Sequence, residues 1–572
     1  MSQQAPWLGH YDPGVPPTLS PYPGRTLPDY VSESATRDPN HPAILFKGST
    51  MTYGALERLS NACAAAFLEL GLARGDRIAL LLPNCPQFVI AELGAWKIGA
   101  IVAPLNPLYA EAELEAALRE SGATAIVGLT RYYARIKHVQ ARTPVRHVIA
   151  TNIKDYFPPV LRFLFTLVRE KRDGDRVTLD KGDHDLSSLL ARHDGAAPAR
   201  APVTPRDPAV LLMSGGTTGT PKAVLGTHAA YGYAGLQVTA WIGSVLRGRK
   251  DVWLVPLPLF HVYVNVGVQA VALANGATLA LVPNPRDLAD LLSTIRRVKP
   301  AFFCAVPTLY IALLNHADSS RRTVDFTSIR FCFSGASALL ADTKRRFEAL
   351  TGGVIIEGYS LTEAMMALCG NPVKGVNKIG SVGMPFPDVL VRIYDADEGT
   401  RVLAANDVGE IAITGPQLME GYWNRPAETA DVLREHTDSD GTRRWLHTGD
   451  LGYLDEDGYL FIVDRKKDMI KTSGFQVWPR EVEEVLAAHP AVAEVGVAGV
   501  TDPVKGEVVH AWIVLRSGQT ASEQDLRTFC RGQLAPYKVP ARVEFRPELP
   551  KTMVGKVLRR ALRESATRPQ ET

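Results

Sequence analysis

The sequence predicts an α/β protein with a large N-terminal domain of helix-covered sheets and a small, mobile α+β domain at its C-terminal end. Two observations lead to this prediction: short apolar runs alternate with helical patterns along most of the chain, and the pattern of the sequence changes after Asp464. A third is the length, because 572 residues exceed what one ordinary hydrophobic core organises. We expect the domains to cover residues 1–464 and 465–572.

The alternation is clearest in two stretches of the larger domain. Residues 77–82 form a short apolar run typical of a strand buried on both faces, and a helical pattern at 88–98 and a second apolar run at 99–104 follow it. The same order of strand, helix and strand returns between residues 251 and 281. The repetition indicates two related lobes, each with a parallel sheet covered by helices.

The smaller domain carries element signals of its own. Pro479 is placed to open a helix, and Ser522 begins a sequence typical of a helix-capping box. Apolar runs at 494–500 and 508–515 indicate strands. The junction, residues 464–468, consists of five consecutive charged residues, which is typical either of a solvated turn or of a hinge between domains.

The composition argues against several classes of function. Sixty-three Lys and Arg against 60 Asp and Glu give a net charge of +3, which offers no reason to expect nucleic acid as a partner. The six cysteines are scattered without metal-ligand spacing, so we expect buried thiols in a reduced, cytoplasmic protein without structural zinc. No stretch has the pattern of a signal peptide or a transmembrane helix. The prolines between residues 6 and 23 predict an extended arm on the domain surface.

The strongest chemical signal is a glycine-rich loop after an apolar strand at 209–213. The loop reads Ser214-Gly215-Gly216-Thr217-Thr218-Gly219-Thr220-Pro221-Lys222. Glycines let the backbone N–H groups approach phosphate oxygens, the hydroxyls add donors, and the lysine adds positive charge. A mononucleotide P-loop needs Ser or Thr directly after its lysine, whereas Pro221 and Ala223 flank Lys222 here. This difference argues against an ordinary kinase or ATPase.

The loop resembles the phosphate loop of the adenylate-forming superfamily, which comprises acyl-CoA synthetases, adenylation domains and luciferases. Further segments follow in the order that this family has, so that the resemblance spans about residues 40–565, and these segments are PLPLFH at 256–261, SGAS at 334–337, EGYSLTE at 357–363, WLHTGD at 445–450 with 464–465, and LPKTMVGKVLRR at 549–560. Two departures are present: Ser214-Gly215-Gly216 replaces Thr-Ser-Gly, and Ser473-Gly474 replaces a pair of glycines. The pattern is most similar to that of bacterial long-chain fatty-acid–CoA ligases.

The resemblance implies a nucleotide site assembled from distant segments. The residues implied to bind ATP or CoA are Ser214, Gly215, Gly216, Thr217, Thr218, Gly219, Lys222, Gly335, Ala336, Ser337, Glu357, Gly358, Tyr359, Thr362, Asp450, Arg465, Lys467, Gly474 and Lys556. In this scheme the Tyr359 ring stacks on adenine, and Thr362 donates a hydrogen bond to the α-phosphate. Asp450 and Arg465 hold the ribose.

The catalytic parts are also implied by the resemblance. The catalytic set is Lys556, His261, Thr362 and Glu363. Thr217 and Glu363 would hold Mg²⁺, since a hard cation shared with phosphate takes oxygen ligands. Lys556 would bridge the carboxylate and the α-phosphate while acyl-AMP forms. Rotation of the small domain about Lys467 would then bring the Gly474 segment to the path of the CoA thiol, with His261 at the mouth of the carboxylate site.

The expected reaction is therefore the ATP-dependent ligation of a carboxylic acid to CoA through acyl-AMP. A medium- or long-chain fatty acid is preferred because residues 153–168 are apolar with few charges, where bacterial long-chain ligases carry a similar insert. This segment is expected either to touch the inner membrane face or to pack on the domain as a helix. Sixteen residues follow Lys556, too few for a fused carrier domain, which favours CoA as the acceptor.

Other functions stay open at this point. The chain fits an aryl-CoA ligase or another carboxylate–CoA ligase, and also an acyl-AMP ligase that loads a stand-alone carrier protein. A catalytically silent lipid or nucleotide sensor is a further alternative. The presence of Lys556, Glu363 and the threonine-rich loop argues against that last hypothesis.

Overall fold

The computed structural model describes residues 5–197, 202–214, 222–319, 324–335, 339, 341–438, 441–473, 475–502, 505–552 and 557–567 of the chain. The fold is mixed α/β, with a large N-terminal domain and a smaller C-terminal one, as the sequence predicts. The helices are α1 Leu27–Arg37, α2 Tyr53–Glu69, α3 Pro86–Lys97, α4 Glu111–Ser121, α5 Tyr133–Gln140, α6 Pro159–Val168, α7 Leu186–Arg192, α8 His228–Trp241, α9 Val262–Val264, α10 Val271–Ala274, α11 Leu288–Val298, α12 Pro307–Ser319, α13 Ala341–Thr351, α14 Pro426–Val432, α15 Pro479–Ala487, α16 Glu523–Arg531 and α17 Arg559–Thr567.

Strands alternate with these helices over most of the chain. They are β1 Pro42–Phe46, β2 Ser49–Thr52, β3 Arg77–Leu81, β4 Ile101–Pro104, β5 Ala125–Leu129, β6 His147–Thr151, β7 His184–Asp185, β8 Pro208–Ser214, β9 Lys222–Thr227, β10 Val252–Val255, β11 Thr278–Leu281, β12 Phe302–Ala305, β13 Phe331–Ser334, β14 Val354–Tyr359, β15 Cys369–Gly370, β16 Met384–Pro385, β17 Leu390–Tyr394, β18 Gly409–Thr414, β19 Gly421–Tyr422, β20 Leu433–Asp438, β21 Gly441–Leu454, β22 Leu460–Arg465, β23 Ile470–Thr472, β24 Phe475–Val477, β25 Val492–Asp502, β26 Gly506–Leu515 and β27 Arg542–Phe545.

Two large sheets form the two lobes that the repeated pattern predicts. One has the order β19-β9-β8-β4-β3-β5-β6-β7 and the other the order β16-β15-β14-β13-β12-β10-β11-β1-β2. Their central strands pair in parallel, and strands such as β4 and β5 are buried on both faces beneath helices. In parallel sheets the loops after the strands lie at one edge, where ligands are commonly bound.

A third sheet, which the sequence pattern did not reveal, completes the large domain. It is antiparallel, with the order β17-β18-β21-β20 and with β22 paired to β21. Strand β21 runs for 14 residues and contains Asp450, and β22 ends at Arg465. The third sheet therefore carries two of the residues expected to bind the ribose.

The C-terminal domain folds around a sheet and a core of its own. The sheet order is β24-β23-β26-β25, with β27 parallel to β26, and buried apolar residues such as Val482, Val497 and Leu526 fill its core. Pro479 opens α15, and Ser522 caps α16 in a reciprocal capping box with Asp525, as the sequence predicts. The strands at β25 and β26 are longer than expected because they pair over almost their whole length.

The N-terminal residues are more than a surface arm. Trp7 is 2% exposed and packs where Gly458 leaves room for it, since a Cβ at 458 would lie 2.9 Å from the indole. The Asp12 carboxylate accepts backbone N–H groups from Val373, Lys374 and Gly375 at 2.7–3.0 Å. The arm therefore ties together segments of the large domain. All six cysteines are buried, in agreement with their expected role as small apolar residues.

A buried acid lies between α3 and a π-helix at Asn265–Ala270. The Glu92 carboxylate accepts hydrogen bonds from the side-chain amides of Asn265, at 2.9 Å, and Gln269. Burial raises the pKa of Glu92 from 4.5 to about 7, and the two amide donors oppose this shift. The side-chain carbonyl oxygens of both amides are buried without a hydrogen-bond partner in the described structure, so a protonated Glu92 suits this cluster.

Removing the ionisation of Glu92 tests this assignment. The folded protein binds the Glu92 proton more tightly than the unfolded chain, so its contribution to stability is full below pH 4.5 and is lost as the pH rises through about 7. Glu92→Gln keeps the shape but cannot ionise. We expect the free energy of unfolding of the variant, relative to wild type, to increase by about 3 kcal/mol between acidic and mildly alkaline pH, measured by urea denaturation.

The matched control is Glu456→Gln, at an exposed position of the same domain. Its unfolding free energy should follow that of the wild type at each pH. If the Glu92→Gln and wild-type curves also ran parallel, the proposed titration of Glu92 would be wrong.

Candidate active site

The glycine-rich loop joins two antiparallel strands. Ser214, at the end of β8, lies opposite Lys222, at the start of β9. Lys222 therefore begins a strand rather than a helix, in agreement with the sequence difference from a mononucleotide P-loop. The predicted loop residues between them lie outside the described residues, namely Gly215, Gly216, Thr217, Thr218 and Gly219.

Lys222 and the predicted magnesium ligand Glu363 lie on either side of Tyr422. Strand β19 pairs with β9 and places Tyr422 opposite Val224. The ammonium group of Lys222 lies 4.8 Å from the centroid of the Tyr422 ring, and the Tyr422 hydroxyl donates a hydrogen bond of 3.0 Å to Glu363 Oε1. The tyrosine was not predicted, because only the strand pairing shows that it lies here.

The environment of Glu363 suits a bound cation. Burial raises the pKa of this carboxyl, and the Tyr422 hydroxyl opposes the rise. A cation beside a buried carboxylate compensates for its lost hydration, and Mg²⁺ prefers oxygen ligands. Within the described ranges, no three His, Cys, Asp or Glu side chains converge as a metal site. Mg²⁺ at Glu363 would therefore need phosphate or hydroxyl oxygens as further ligands.

Three predicted nucleotide-binding residues meet in a second cluster. The Tyr359 hydroxyl, at the end of β14, donates to Asp450 Oδ2 at 2.6 Å. Asp450 pairs with Arg465 across β21 and β22, and Arg465 Nε lies 3.1 Å from Asp450 Oδ1. Asp450 is 5% exposed. Burial and the charge of Asp450 raise the pKa of Tyr359, so its hydroxyl stays protonated and acts as a donor.

Glycine is required at position 358, directly before Tyr359. A Cβ there would lie 2.2 Å from the Phe333 ring and 2.7 Å from the Cys369 carbonyl oxygen. The preceding carboxylate, Glu357, accepts the backbone N–H of Leu339 at 3.2 Å, and burial raises its pKa. The close packing at Gly358 fixes the backbone on both sides of it.

His261 and Gly335 each contact Tyr263. His261 caps α9, and its Nδ1 accepts the backbone N–H of Tyr263 at 3.3 Å. The Tyr263 ring lies against Gly335, where a Cβ would be in contact at 3.5 Å, and its hydroxyl donates to the Phe333 carbonyl oxygen at 2.6 Å. The neighbouring predictions Ala336 and Ser337 lie outside the described residues.

The loop after Tyr359 packs against the π-helix that follows α9. Thr362 and Glu363 lie on a single 3₁₀ turn, Thr362–Ala364. Met366 follows with φ of 80°, an uncommon backbone conformation for a residue with a side chain, and a Cβ at Gly267 would lie 2.4 Å from its Cε. Gly267 therefore provides the space for Met366, and the two segments are fixed to each other.

The domain junction is a turn that is buried at one end and solvated in its middle. Residues 466–468 form a 3₁₀ turn, in which Lys466 and Lys467 are exposed, as the solvated-turn alternative predicts. Asp464 is only 5% exposed, and Asp468 binds arginines of α17. The use of this turn as a hinge stays a prediction. The predicted residues Gly474 and Lys556 lie outside the described residues.

A buried acid that sequence reasoning missed lies beside the second cluster. Glu410, on β18 and 4% exposed, accepts the backbone N–H of Gly449 at 3.2 Å and lies 3.4 Å from Lys466 Nζ. Gly449 directly precedes Asp450. A single acid within the apolar run of residues 409–414 was the available signal, since a buried charge usually has a specific partner.

Comparisons with known proteins identify the family. Residues 31–423 match the family described as AMP-binding enzyme, and residues 481–556 match the AMP-binding enzyme C-terminal domain. A long-chain-fatty-acid–CoA ligase of Bacillus subtilis (strain 168) is 41% identical, covering 99% of both chains. One from Escherichia coli O157:H7 is 36% identical, covering 98% of both. The crystal structure of the anthranilate CoA ligase AuaEII with anthranoyl-AMP is similar with a TM-score of 0.81 and 27% identity, covering 96% of this chain and 98% of that one.

The fold and the two clusters define an adenylate-forming type of protein, and the chain belongs to the AMP-binding enzyme family. The first matched segment includes the strands that carry Lys222 and Tyr359 and the 3₁₀ turn that carries Glu363. Asp450 and Arg465 lie between the two matched segments.

The hydroxyl of Tyr422 offers a test of the first cluster. Tyr422→Phe keeps the ring under Lys222 but removes the donor to Glu363, whose pKa should rise further. A hydrogen bond to a charged group contributes about 1.5 kcal/mol or more, so we expect Mg²⁺–ATP to bind roughly tenfold more weakly. Calorimetric titration measures this affinity.

The control is Tyr453→Phe, since Tyr453 stacks on Phe461 in the third sheet, with ring centroids 4.9 Å apart. Its nucleotide affinity should equal that of the wild type. Unchanged affinity of Tyr422→Phe would show that the bond to Glu363 does not contribute to nucleotide binding.

Proposed function

We propose that the protein is an AMP-forming acyl-CoA ligase, which uses ATP to activate a medium- or long-chain fatty acid and transfers the acyl group to CoA. The observations that carry this proposal are the convergence of Tyr359, Asp450 and Arg465 and the contacts of Tyr422 with Lys222 and Glu363. Membership of the AMP-binding enzyme family and the names of the bacterial relatives support the reaction and the acid.

The first half-reaction joins two anions. A carboxylate oxygen of the acid attacks the α-phosphorus of ATP, and the bond from that phosphorus to pyrophosphate breaks. The work of the protein is therefore positioning and neutralisation of charge. Lys222 suits the departing pyrophosphate, and Thr362 suits the α-phosphate. Mg²⁺, held by Glu363 and Thr217, would supply further positive charge at the phosphates.

The nucleoside would be held by the second cluster. The ring of Tyr359 offers a flat face for adenine, and the Asp450 carboxylate can accept both ribose hydroxyls beside Arg465. The hydrogen bond from Tyr359 to Asp450 orients the two groups before the nucleotide binds. Lys556 is proposed to bridge the carboxylate and the α-phosphate oxygens.

In the second half-reaction the CoA sulfur attacks the acyl carbon, and the bond to AMP breaks. The thiol needs access from another side, so residues 465–572 are proposed to rotate about Lys467. This movement would withdraw Lys556 and bring the Gly474 segment to the incoming pantetheine. His261, at the start of a short helix, is proposed to move as the thiol enters.

The dependence of ATP–pyrophosphate exchange on the added acid tests the proposal. We expect exchange with palmitate to exceed exchange with benzoate or acetate by roughly tenfold or more, because each buried methylene adds binding energy. Addition of CoA should then yield palmitoyl-CoA and AMP. A preference for benzoate would favour the aryl-CoA ligase, a function that the similar AuaEII structure illustrates. Exchange without transfer to CoA would favour a carrier-protein ligase, and no exchange would favour a sensor.

We also propose that the enzyme contacts membranes through α6. Among the described residues, no helix combines the length and the apolar character needed to cross a bilayer. In α6, however, six large apolar side chains are 36–72% exposed, and these are Val160, Leu161, Phe163, Leu164, Leu167 and Val168. Phe165 alone is buried in this helix, against Phe157. The helix therefore packs on the domain through Phe165 and leaves most of its apolar surface exposed, which supports the membrane contact.

The charges around α6 favour an anionic lipid surface. Residues 159–173 contain exposed Arg162, Arg169, Lys171 and Arg172, and two acids, Glu170 and Asp173. Glu170 is buried and bound by Lys154, at 2.5 Å, and by Arg176. Asp173 pairs with Arg169 and Arg172, and the segment keeps an excess of positive charge. An exposed apolar face with a basic margin is typical of helices that lie in the lipid interface. Such contact would place the enzyme where long-chain acids partition.

Vesicle sedimentation tests this contact. The wild type should bind vesicles that contain phosphatidylglycerol. Added salt should weaken this binding, because basic residues near anionic lipid each contribute about 1 kcal/mol through electrostatic attraction. Phe163→Ser with Leu167→Ser should lose most of the binding while pyrophosphate exchange with a soluble acid is retained. The control is Leu108→Ser, which changes a leucine that is 53% exposed elsewhere. Equal binding of both variants would exclude α6 as the contact.

A further inference from the structure

The carboxylate of Asp464 joins the last strand of the third sheet to two helices of the small domain. Its Oδ1 accepts the guanidinium Nη1 of Arg559 at 3.0 Å, and its Oδ2 accepts the backbone N–H of Arg480 at 2.8 Å. Arg480 lies in the first turn of α15, and Arg559 is the first residue of α17. Since Asp464 is 5% exposed, these bonds are shielded from water.

Arg559 also binds acids on the far side of the junction. Its Nη2 and Nε contact the Glu483 carboxylate at 2.7 and 3.2 Å, and its Nη1 lies 3.3 Å from Asp468 Oδ2. Burial alone would lower the pKa of Arg559, but Glu483 and Asp464 hold it above its usual value, so the side chain stays charged. The guanidinium of Arg559 therefore binds Asp464, which precedes Lys467 in the chain, and also two acids that follow Lys467.

The same arginine anchors one end of the loop that contains Lys556. Residues Lys551 and Val557 pair as an isolated antiparallel bridge, and the backbone N–H of Leu558 donates to the Pro550 carbonyl oxygen at 2.8 Å. The other end of the loop is fixed by Lys551, whose ammonium binds Glu494 at 2.6 Å. Arg559 follows two residues after the bridge, so its contacts determine how the base of this loop lies relative to Asp464.

We propose that Arg559 is a positioning residue whose bond to Asp464 couples the placement of the Lys556 loop to the domain junction. This inference rests on the proposed two-step reaction. Rotation about Lys467 carries Arg559, Glu483 and Asp468 together and separates them from Asp464. The guanidinium keeps its other acids, so the opening of one bond leaves no unpaired buried charge on Arg559.

We assign the bond between Asp464 and Arg559 to the first half-reaction, in which acyl-AMP forms. Asp464 is directly followed by Arg465, which binds Asp450 in the ribose cluster. The bond from Asp464 to Arg559 therefore connects the residues that follow Lys556 to the candidate nucleotide site, because Asp464 and Arg465 are neighbours in the chain. Acyl-AMP formation, which needs the lysine at the α-phosphate, should depend on it more than thioester formation does.

The experiment compares both half-reactions in full-length variants. Asp464→Asn removes the charge and keeps the shape, and Arg563→Gln is the control, because Arg563 binds Asp468 at 3.0 Å on the small-domain side. We expect Asp464→Asn to slow acid-dependent pyrophosphate exchange roughly tenfold, the loss of about one charged hydrogen bond. CoA acylation from supplied palmitoyl-AMP should change less than twofold. Lys556→Ala gives the reference for complete loss of the first step.

Limited trypsin digestion gives a second measurement that does not depend on activity. The junction contains Arg465, Lys466 and Lys467, and Asp464→Asn should be cut there several times faster than the wild type or Arg563→Gln. Equal loss of both half-reactions, loss of the second step only, or an unchanged cutting rate would each overturn the proposal. If the wild type shows no acid-dependent exchange, the proposed function fails instead, and the digestion still decides whether the bond holds the junction.

Discussion

The site depends on the buried carboxylate of Asp450. It accepts the hydroxyl of Tyr359 from one of the large sheets and lies beside Arg465 at the end of the third sheet. Glu410 accepts the backbone N–H of Gly449, the residue directly before Asp450, and so helps to fix its position. A buried carboxylate is costly unless donors satisfy it, so these residues stabilise the fold and orient the candidate ribose ligand with the same bonds.

A second constraint follows from the proposed reaction, in which two anions must meet. The positive charge that would assist this reaction lies next to an aromatic ring and not in open solvent. Lys222 lies over the ring of Tyr422, and the hydroxyl of that tyrosine binds Glu363. The tyrosine therefore contacts both the cation and the acid that are proposed to act on the phosphates and the metal ion.

The junction between the domains also contains a buried carboxylate that hydrogen-bond donors satisfy. Five consecutive charged residues would normally be hydrated, yet Asp464 is buried and binds the first turns of two helices. Arg559 carries bonds to both sides of the proposed hinge. A junction built from a few directional ion pairs can exchange partners during rotation, which an apolar interface of the same size cannot do as readily.

The sequence by itself determined the features that depend on neighbouring residues. The alternation of strands and helices predicted both lobes, Pro479 and Ser522 predicted their helices, and the strand before Ser214 was placed correctly. The glycine-rich loop and the motifs around Tyr359 and Asp450 are also local, so the family could be read from them. Local patterns suffice here because backbone preferences and phosphate-binding turns act over a few residues.

Only the tertiary structure decided which distant groups meet. Tyr422 reaches Glu363 across 59 positions of sequence, and Asp464 reaches Arg559 across 95, through strand pairing and domain packing that no local pattern specifies. The third sheet was missed for the same reason. The exposure of α6 also had to be seen, because an apolar helix has the same sequence pattern whether its partner is the protein core or a lipid surface.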